Sequence, residues 1–183
     1  MRTMVARSVV LLIACLLLSS LPVGAQAQES KSAALAKELT QLLDAKKIEA
    51  IAAKDPSAPD LFVAALYYPG SQMMVVSARY SVPPILAERL AKKEFLEVYT
   101  DLNSAAVEGS KMLVMDLQAD GLKPKKEDSH YDTCDIGAKN YVFDGEWKKQ
   151  KMASEEVYLK AFAEADAAYS KALATLIAHV KKG

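Results

Sequence analysis

The sequence contains few of the residues that build disulfides, metal centres and redox sites. Among its 183 residues are two cysteines and two histidines. Cys15 lies in an N-terminal segment that we expect to be removed, which leaves Cys134 as the single cysteine of the mature chain. A lone thiol cannot form an intramolecular disulfide, although exported proteins often contain them. The stability of the domain must therefore come from packing.

An excess of charge of one sign is also lacking. The chain has 23 basic and 23 acidic residues. Removal of residues 1–27 takes away Arg2 and Arg7, which leaves 21 basic and 23 acidic residues and a net charge of −2. A nearly neutral surface of mixed charge gives no long-range attraction for nucleic acid or for an anionic membrane. We expect neither as a partner.

The common catalytic signatures are missing as well. The sequence has no G-x-S-x-G, H-E-x-x-H, P-loop, C-x-x-C or C-x-x-C-H pattern. These absences remove the common exported hydrolases, thiol oxidoreductases and attached-haem proteins. They leave open whether the protein is an enzyme.

Residues 1–27 have the pattern of a cleaved signal peptide. Arg2 and Arg7 form a positive n-region, residues 9–18 form an apolar h-region, and "AQA" at 25–27 supplies the small residues of a cleavage site. The apolar run is shorter than the roughly 20 residues that span a bilayer. We therefore expect an exported protein, periplasmic or extracellular, with one globular α+β domain over residues 28–183 and no membrane span.

An alternative start is a lipoprotein. The stretch "LIAC", which ends at Cys15, resembles a lipobox, in which the cysteine is lipidated and becomes the mature N-terminus. The apolar run continues past it as "LLLSSLPV", which favours ordinary cleavage. Under either reading the mature protein leaves the cytoplasm.

Hydrophobic periodicity predicts helices at both ends of the mature chain. Over residues 30–53, leucines recur at spacings of three and four, and the turn residues of "KDPSAPD" at 54–60 follow. Residues 154–182 form the clearest element, with Ser154 as its N-cap and an alanine-rich apolar stripe. We expect that stripe to bury against another element, and a homodimer through this helix is one way to do so.

The middle of the chain predicts strands. A hairpin of residues 61–68 with 72–79 turns at "PGS", and its strands are apolar on both faces. Further predictions are a helix over 81–94, a strand over 112–117, a polar loop over 123–139 and a second hairpin turning at Asp144-Gly145; residues 95–102 fit either a helix or a strand. The fold class is α+β: a small, mostly antiparallel sheet or split barrel with an N-terminal helix, a central helix and a long C-terminal helix.

The stretch "SHYDTCDIG" at 129–137 gathers the residue types of a metal or thiol site. On a strand, His130, Asp132 and Cys134 would share one face at intervals of about 6.5 Å. Because zinc ligands must lie within about 2.0–2.3 Å of the ion, three such residues cannot share one. We expect no metal here.

A nucleophilic Cys134 with His130 as its base is a second hypothesis for this stretch. Asp132 or Asp135 could orient the imidazole. Such partners usually come from distant segments, so the competing interpretation is a polar loop with an inert cysteine. Both interpretations stay open.

Eight tyrosines provide most of the aromatic side chains. Rings with a polar tip can line a ligand groove or lie at the rim of a core. The methionines of the predicted strands, Met73, Met74, Met112 and Met115, lack the M-x-M spacing of a copper site and are expected in the core.

The order of helix, "LFVAALYYPGSQMMVVSARY", "PPILAERLAKK" and "EFLEVYTDLNSA" resembles the flavin-binding split β-barrel family related to pyridoxamine phosphate oxidases, over residues 33–118. The resemblance implies a dimer that holds the phosphate of FMN near the second strand and the following helix. Ser77 and Arg79 are the nearest matches to its phosphate-binding residues, and "SVPP" stands where many members have Ser-x-Lys.

The sequence favours an exported, non-enzymatic domain that binds a small molecule or a partner protein of the cell envelope, with no cofactor. The alternatives are a flavin-binding split-barrel enzyme with FMN and a thiol enzyme that uses Cys134.

Overall fold

The computed structural model describes residues 30–79 and 110–183, which form a six-stranded antiparallel sheet and two helices. The elements in chain order are α1 Lys31–Lys46, β1 Ala50–Asp55, β2 Ala58–Tyr68, β3 Met73–Arg79, β4 Ser110–Asp116, β5 Asp132–Ile136, β6 Lys139–Phe143 and α2 Glu155–Lys182. Every strand pairs with the next one along the chain, from β1 to β6. The predicted α+β class is confirmed. Across these two ranges, neither helix has the length and apolar character needed to cross a bilayer.

α1 is shorter than the sequence predicts. It ends where Lys47 adopts a left-handed conformation (φ 53°) and donates its N–H to the carbonyl of Asp44. The predicted helix over 30–53 is therefore wrong at its C-terminal end, because the alanine-rich stretch after it forms β1. Pairing of β1 with β2 overrides the helix propensity of alanine.

The predicted turn over 54–60 is also narrower than expected. β1 and β2 leave only residues 56–57 between them. Asp55 holds this turn, since its Oδ1 accepts hydrogen bonds from the backbone N–H of Ser57 at 2.8 Å and from its hydroxyl at 2.7 Å.

The hairpin of β2 and β3 is confirmed, with a register from Phe62 opposite Arg79 to Tyr68 opposite Met73. Both faces of its middle are buried, as predicted. Alternate residues face the helices, and the remainder form a second apolar cluster on the other face, made of Ala64, Leu66, Val75 and Leu113. The predicted strand over 112–117 is confirmed as β4.

The region after β4 differs from the prediction. The predicted polar loop over 123–139 contains β5, which pairs with β6 across the two-residue turn Gly137-Ala138. Gly137 has φ +58° at the first central position of that turn, a conformation that glycine adopts at little cost. The predicted hairpin at Asp144-Gly145 is wrong: β6 ends at Phe143, and Asp144 accepts the N–H of Glu146.

The C-terminal helix is confirmed as α2, and the Oγ of Ser154 accepts the N–H of Val157 as its N-cap. α2 packs against α1 and against β1, β2 and β3, so the core lies between the helices and one sheet face. The alanine-rich stripe predicted as a dimer interface is buried in this core within the same chain, with Ala165 and Ala172 almost fully covered. The predicted helix over 81–94 and the undecided stretch 95–102 lie outside the described residues.

Candidate functional site

The thiol singled out by the sequence lies in the core. Cys134 is fully buried on β5, between Val114 of β4 and Tyr141 of β6. Burial, with a further contribution from the charge of Asp135, raises the pKa of Cys134 to about 12. His130 is exposed and lies in a turn whose backbone bonds to Glu127. The structure does not bring an accessible thiol and an imidazole base together.

The two residues suggested by the flavin-family resemblance lie at one end of β3. Ser77 is buried on the sheet face away from the helices, and its hydroxyl has no hydrogen-bond partner within the described ranges. Arg79 is the last residue of the strand. The resemblance itself stays a prediction. Nowhere in residues 30–79 and 110–183 do three His, Cys, Asp or Glu side chains form a group suited to a metal ion.

A groove of about 520 Å³ lies between α1, the β2–β3 hairpin and the 117–123 loop, which follows β4. This groove is lined by Ala33, Ala34, Lys37, Thr40, Asp44, Tyr67, Gln72, Gln118, Ala119, Asp120 and Lys123. Of the tyrosines, which the sequence suggests either for a ligand groove or for the rim of the core, Tyr67 lines this groove.

Both signs of charge line the groove. The ammonium of Lys123 lies 3.3 Å from Asp120 Oδ2, and Lys37 has no ion-pair partner among the side chains described. The hydroxyl of Tyr67, on β2, donates to Oδ2 of Asp44, on α1, at 3.3 Å. Burial and then the charge of Asp44 raise the pKa of Tyr67, so its hydroxyl stays a donor at neutral pH.

A second cavity, of about 330 Å³, lies beside the β2–β3 turn and shares Tyr67 with the groove. The other residues that line it are Glu49, Leu66, Tyr68, Pro69, Gly70 and Ser71.

Side chains hold the backbone of the 117–123 loop in place. Asp116, the last residue of β4, accepts the N–H of Gly121 at 2.8 Å and that of Asp120 at 3.2 Å. Asp132, the first residue of β5, accepts the N–H of Lys123 at 2.8 Å and that of Leu117 at 3.1 Å. Two carboxylates therefore hold four amides of a seven-residue loop.

The first turn of α1 supplies a fifth acceptor for the loop. The Oγ of Ser32 accepts the N–H of Leu122 at 2.9 Å and donates its own proton to Asp166 Oδ1 at 2.6 Å. Gly121 brings the loop against α1 with φ +93°, and a Cβ there would lie 2.5 Å from the backbone of Ala33. The groove wall is thus fixed by α1, α2, β4 and β5 together.

The two carboxylates that hold the loop, Asp116 and Asp132, have raised pKa values. Desolvation, followed by the charge of Asp116, raises the pKa of Asp132 to about 7 against the opposing effect of its two amide bonds. Burial likewise raises the pKa of Asp116, whose Oδ2 accepts the hydroxyl of Tyr169 at 3.1 Å. Desolvation raises the pKa of Tyr169 well above its ordinary value, so it remains a donor.

Sequence reasoning missed most of this arrangement. Asp116 and Asp166 belong to no motif, Ser32 suggests only a possible N-cap of the first helix, and Asp132 suggests only a ligand or orienting group beside Cys134. The available signal was an aspartate at the end of a predicted strand before the turn residues "ADG", where carboxylates often accept backbone amides. Nothing in the sequence brings Ser32 and Asp166 to that turn.

Comparison with known proteins finds no matching family model, no significantly similar curated protein and no significantly similar solved structure.

Proposed function

We propose that this chain is an exported, non-enzymatic binding domain and that the groove beside α1 holds a small zwitterion such as a free amino acid or a short peptide. The proposal rests on one observation above all: five backbone amides of the 117–123 loop donate to side-chain oxygens of Asp116, Asp132 and Ser32. A wall already ordered in the free protein loses little conformational entropy when a ligand binds.

The charges of the groove support the ligand class. Lys37 offers an ammonium to a ligand carboxylate, while Asp44 and Asp120 offer carboxylate oxygens to a ligand amine. Gln72, Gln118 and Thr40 add neutral donors and acceptors around these charges, the usual basis of orientation in a ligand site.

The chemistry of the groove supports binding rather than catalysis. The thiol of Cys134 lies in the core and lines neither the groove nor the second cavity. The carboxylates with raised pKa are Asp116 and Asp132, and their oxygens accept hydrogen bonds from loop amides. The groups that do face the groove are those that recognise a charged ligand.

Export is supported by the n-region, h-region and "AQA" of residues 1–27. A mature domain in the envelope would meet amino acids and peptides before their uptake. Intact mass of the protein isolated from its native compartment tests this part: a mature chain that starts near Gln28 is expected, and an uncleaved chain in the cytoplasm would contradict it.

Calorimetric titration of the mature chain tests the groove. The panel is a set of amino acids and dipeptides, with neutral disaccharides and simple monocarboxylates and amines as comparison ligands. We expect zwitterions to bind, and Lys37→Met to weaken them by about 10- to 100-fold, because a hydrogen bond to a charged group contributes about 1.5–3 kcal/mol.

The matched control is Lys139→Met at the β5–β6 turn, an exposed lysine that does not line the groove. It should bind as the unmodified protein does. The proposal fails if no zwitterion binds below millimolar concentration, or if Lys37→Met and Lys139→Met bind equally well.

A further inference from the structure

Asp116 and Asp132 form a pair of buried carboxylates on neighbouring strands. They stand one position beyond the last registered pair of β4 and β5, Met115 with Thr133, and are 0 % and 2 % exposed. Among the described side chains neither has an ion-pair partner within 4 Å, because the ammonium of Lys123 lies beside Asp120 and Glu127. Two like charges in such a dry site are costly unless a proton is shared.

We propose that Asp116 and Asp132 share one proton at mildly acidic pH and that its loss near neutral pH loosens the 117–123 loop, so that the groove holds its ligand more weakly as pH rises. The effect on the ligand rests on the function proposed above. The effect on the loop does not.

The hydrogen bonds of the pair explain why a proton changes the loop. Both oxygens of each carboxylate accept an amide of the loop, and Asp116 Oδ2 also accepts the hydroxyl of Tyr169. With one proton shared, the pair carries a single charge, which these donors stabilise. When that proton is lost, both carboxylates are charged and repel each other, and water must enter to solvate them. The loop is the segment whose displacement admits that water.

Other groups around the pair have different roles. From α2, Tyr169 donates to Asp116 and, through its raised pKa, keeps its proton throughout this range. Asp120, Lys123 and Glu127 contribute charge from the loop side, and Asp166 of α2 reaches the loop through Ser32. Met74 of β3, which is uncharged, contacts the Tyr169 hydroxyl at 3.6 Å. The raised pKa of both carboxylates supports the pair as the titrating unit.

The first test needs no substitution and no ligand. Carboxyl ¹³C and amide ¹⁵N shifts of the labelled mature chain are followed from pH 5.5 to 8.5, with amide hydrogen exchange at each pH. We expect the pair to titrate with a midpoint near 7, and the amides of Leu117 and 120–123 to lose protection above it after correction for intrinsic exchange. The amide of Val114, in the middle of β4, should stay protected. Loop amides that stay unchanged over this range would overturn the proposal.

The second test uses Asp132→Asn, which removes the charge and keeps one of the two acceptor oxygens. Its loop amides should show no pH dependence near 7, whereas Asp128→Asn, a change at an exposed turn, should titrate as the unmodified protein does. Equal pH dependence in both variants would contradict the proposal. If Asp132→Asn fails to fold, the titration of the unmodified protein decides.

The third test measures binding of a zwitterion found by calorimetry at pH 6 and pH 8. We expect a loss of about ten-fold in the unmodified protein, which corresponds to about 1.4 kcal/mol, and less than two-fold in Asp132→Asn. If the loop amides lose protection as pH rises but no zwitterion binds at either pH, the proposed function is wrong and the effect of pH on the loop still holds. If a zwitterion binds with equal affinity at both pH values, the proposed function holds and the proposed effect of pH on binding is wrong.

Discussion

The carboxylate of Asp166, in the middle of α2, caps the first turn of α1 through Ser32. Its Oδ1 accepts the Ser32 hydroxyl at 2.6 Å and the Ser32 N–H at 3.1 Å, and its Oδ2 accepts the N–H of Lys31 at 2.7 Å. Ser30, the N-cap residue of α1, makes no side-chain capping bond. A helix N-terminus leaves several N–H groups without intrahelical partners, and here a residue 134 positions away supplies the acceptor.

Asp166→Ala should destabilise the fold strongly. The change leaves two amides and a hydroxyl at the start of α1 without their acceptor, and it frees Ser32 from its position beneath the loop. We expect a loss of about 2–3 kcal/mol in the free energy of unfolding, measured by urea denaturation. Glu164→Ala, an exposed position on the same helix, is the control and should change it by less than about 0.5 kcal/mol. Similar losses for both variants would show that the cap is not the cause.

Gly121→Ala should be far more damaging than Gly137→Ala. Gly121 has φ +93°, and the added methyl group would lie 2.5 Å from two backbone atoms of Ala33, which cannot move aside cheaply. Gly137 has φ +58°, and a Cβ added there would have no atom within 4 Å. The alanine variant therefore loses only the free energy that a left-handed backbone conformation costs an alanine. We expect urea denaturation to give more than about 3 kcal/mol for the first and about 1–2 kcal/mol for the second. Equal losses would mean that α1 and the loop do not make this close approach.

The stability of the protein should fall as pH rises from 5.5 to 8. Desolvation and the neighbouring Asp116 raise the folded-state pKa of Asp132 to about 7, above the ordinary value of 3.8. The native state therefore binds more protons than the unfolded state between these values, and the stabilisation is lost as pH rises through 7. Linkage gives a decrease of about 2 kcal/mol for this group over that range.

Asp132→Asn should remove most of that pH dependence in urea titrations at each pH. Asp55 provides an internal contrast, because its bond from Ser57 lowers its pKa and its stabilisation is lost only as pH falls below the ordinary range. A free energy of unfolding that does not fall between pH 5.5 and 8 would contradict the raised pKa of Asp132.

Cys134 should be unreactive in the native protein. Burial raises its pKa to about 12, so almost no thiolate exists at pH 8, and the side chain is fully covered. Labelling with a chromogenic disulfide reagent should be slow in buffer and complete in guanidinium chloride, with Cys134→Ala as the blank. Rapid stoichiometric labelling of the folded chain would contradict this prediction and would support a thiol enzyme that uses Cys134.

The elements that the sequence predicts well are those that are stabilised locally. α2 has a capping serine, acidic residues in its first turn, basic residues in its last turn and a regular apolar stripe. The β2–β3 hairpin combines β-branched and aromatic strands with a short turn. In both, neighbouring residues carry the pattern, so no knowledge of distant contacts is needed.

β1 and β5 could not be predicted in the same way. "AIAA" of β1 has the composition of a helix and becomes a strand by pairing with β2. β5 is short and polar, and only its register with β4 turns Asp132 and Cys134 inward. The candidate site depends on the same long-range contacts, since Ser32, Asp116, Asp132 and Asp166 come from four separate elements. The sequence predicts the elements around the groove, but only tertiary packing assembles its wall.

The groove is tested most directly by mapping where a zwitterion binds. Amide shift perturbations of the ¹⁵N-labelled mature chain are measured during titration with the amino acids and dipeptides of the calorimetric panel at pH 6. The proposed groove predicts saturable perturbations confined to α1 near Lys37 and Asp44, the β2–β3 turn and the 117–123 loop. Saturable perturbations that centre elsewhere, or none with any zwitterion up to millimolar concentration, would contradict it.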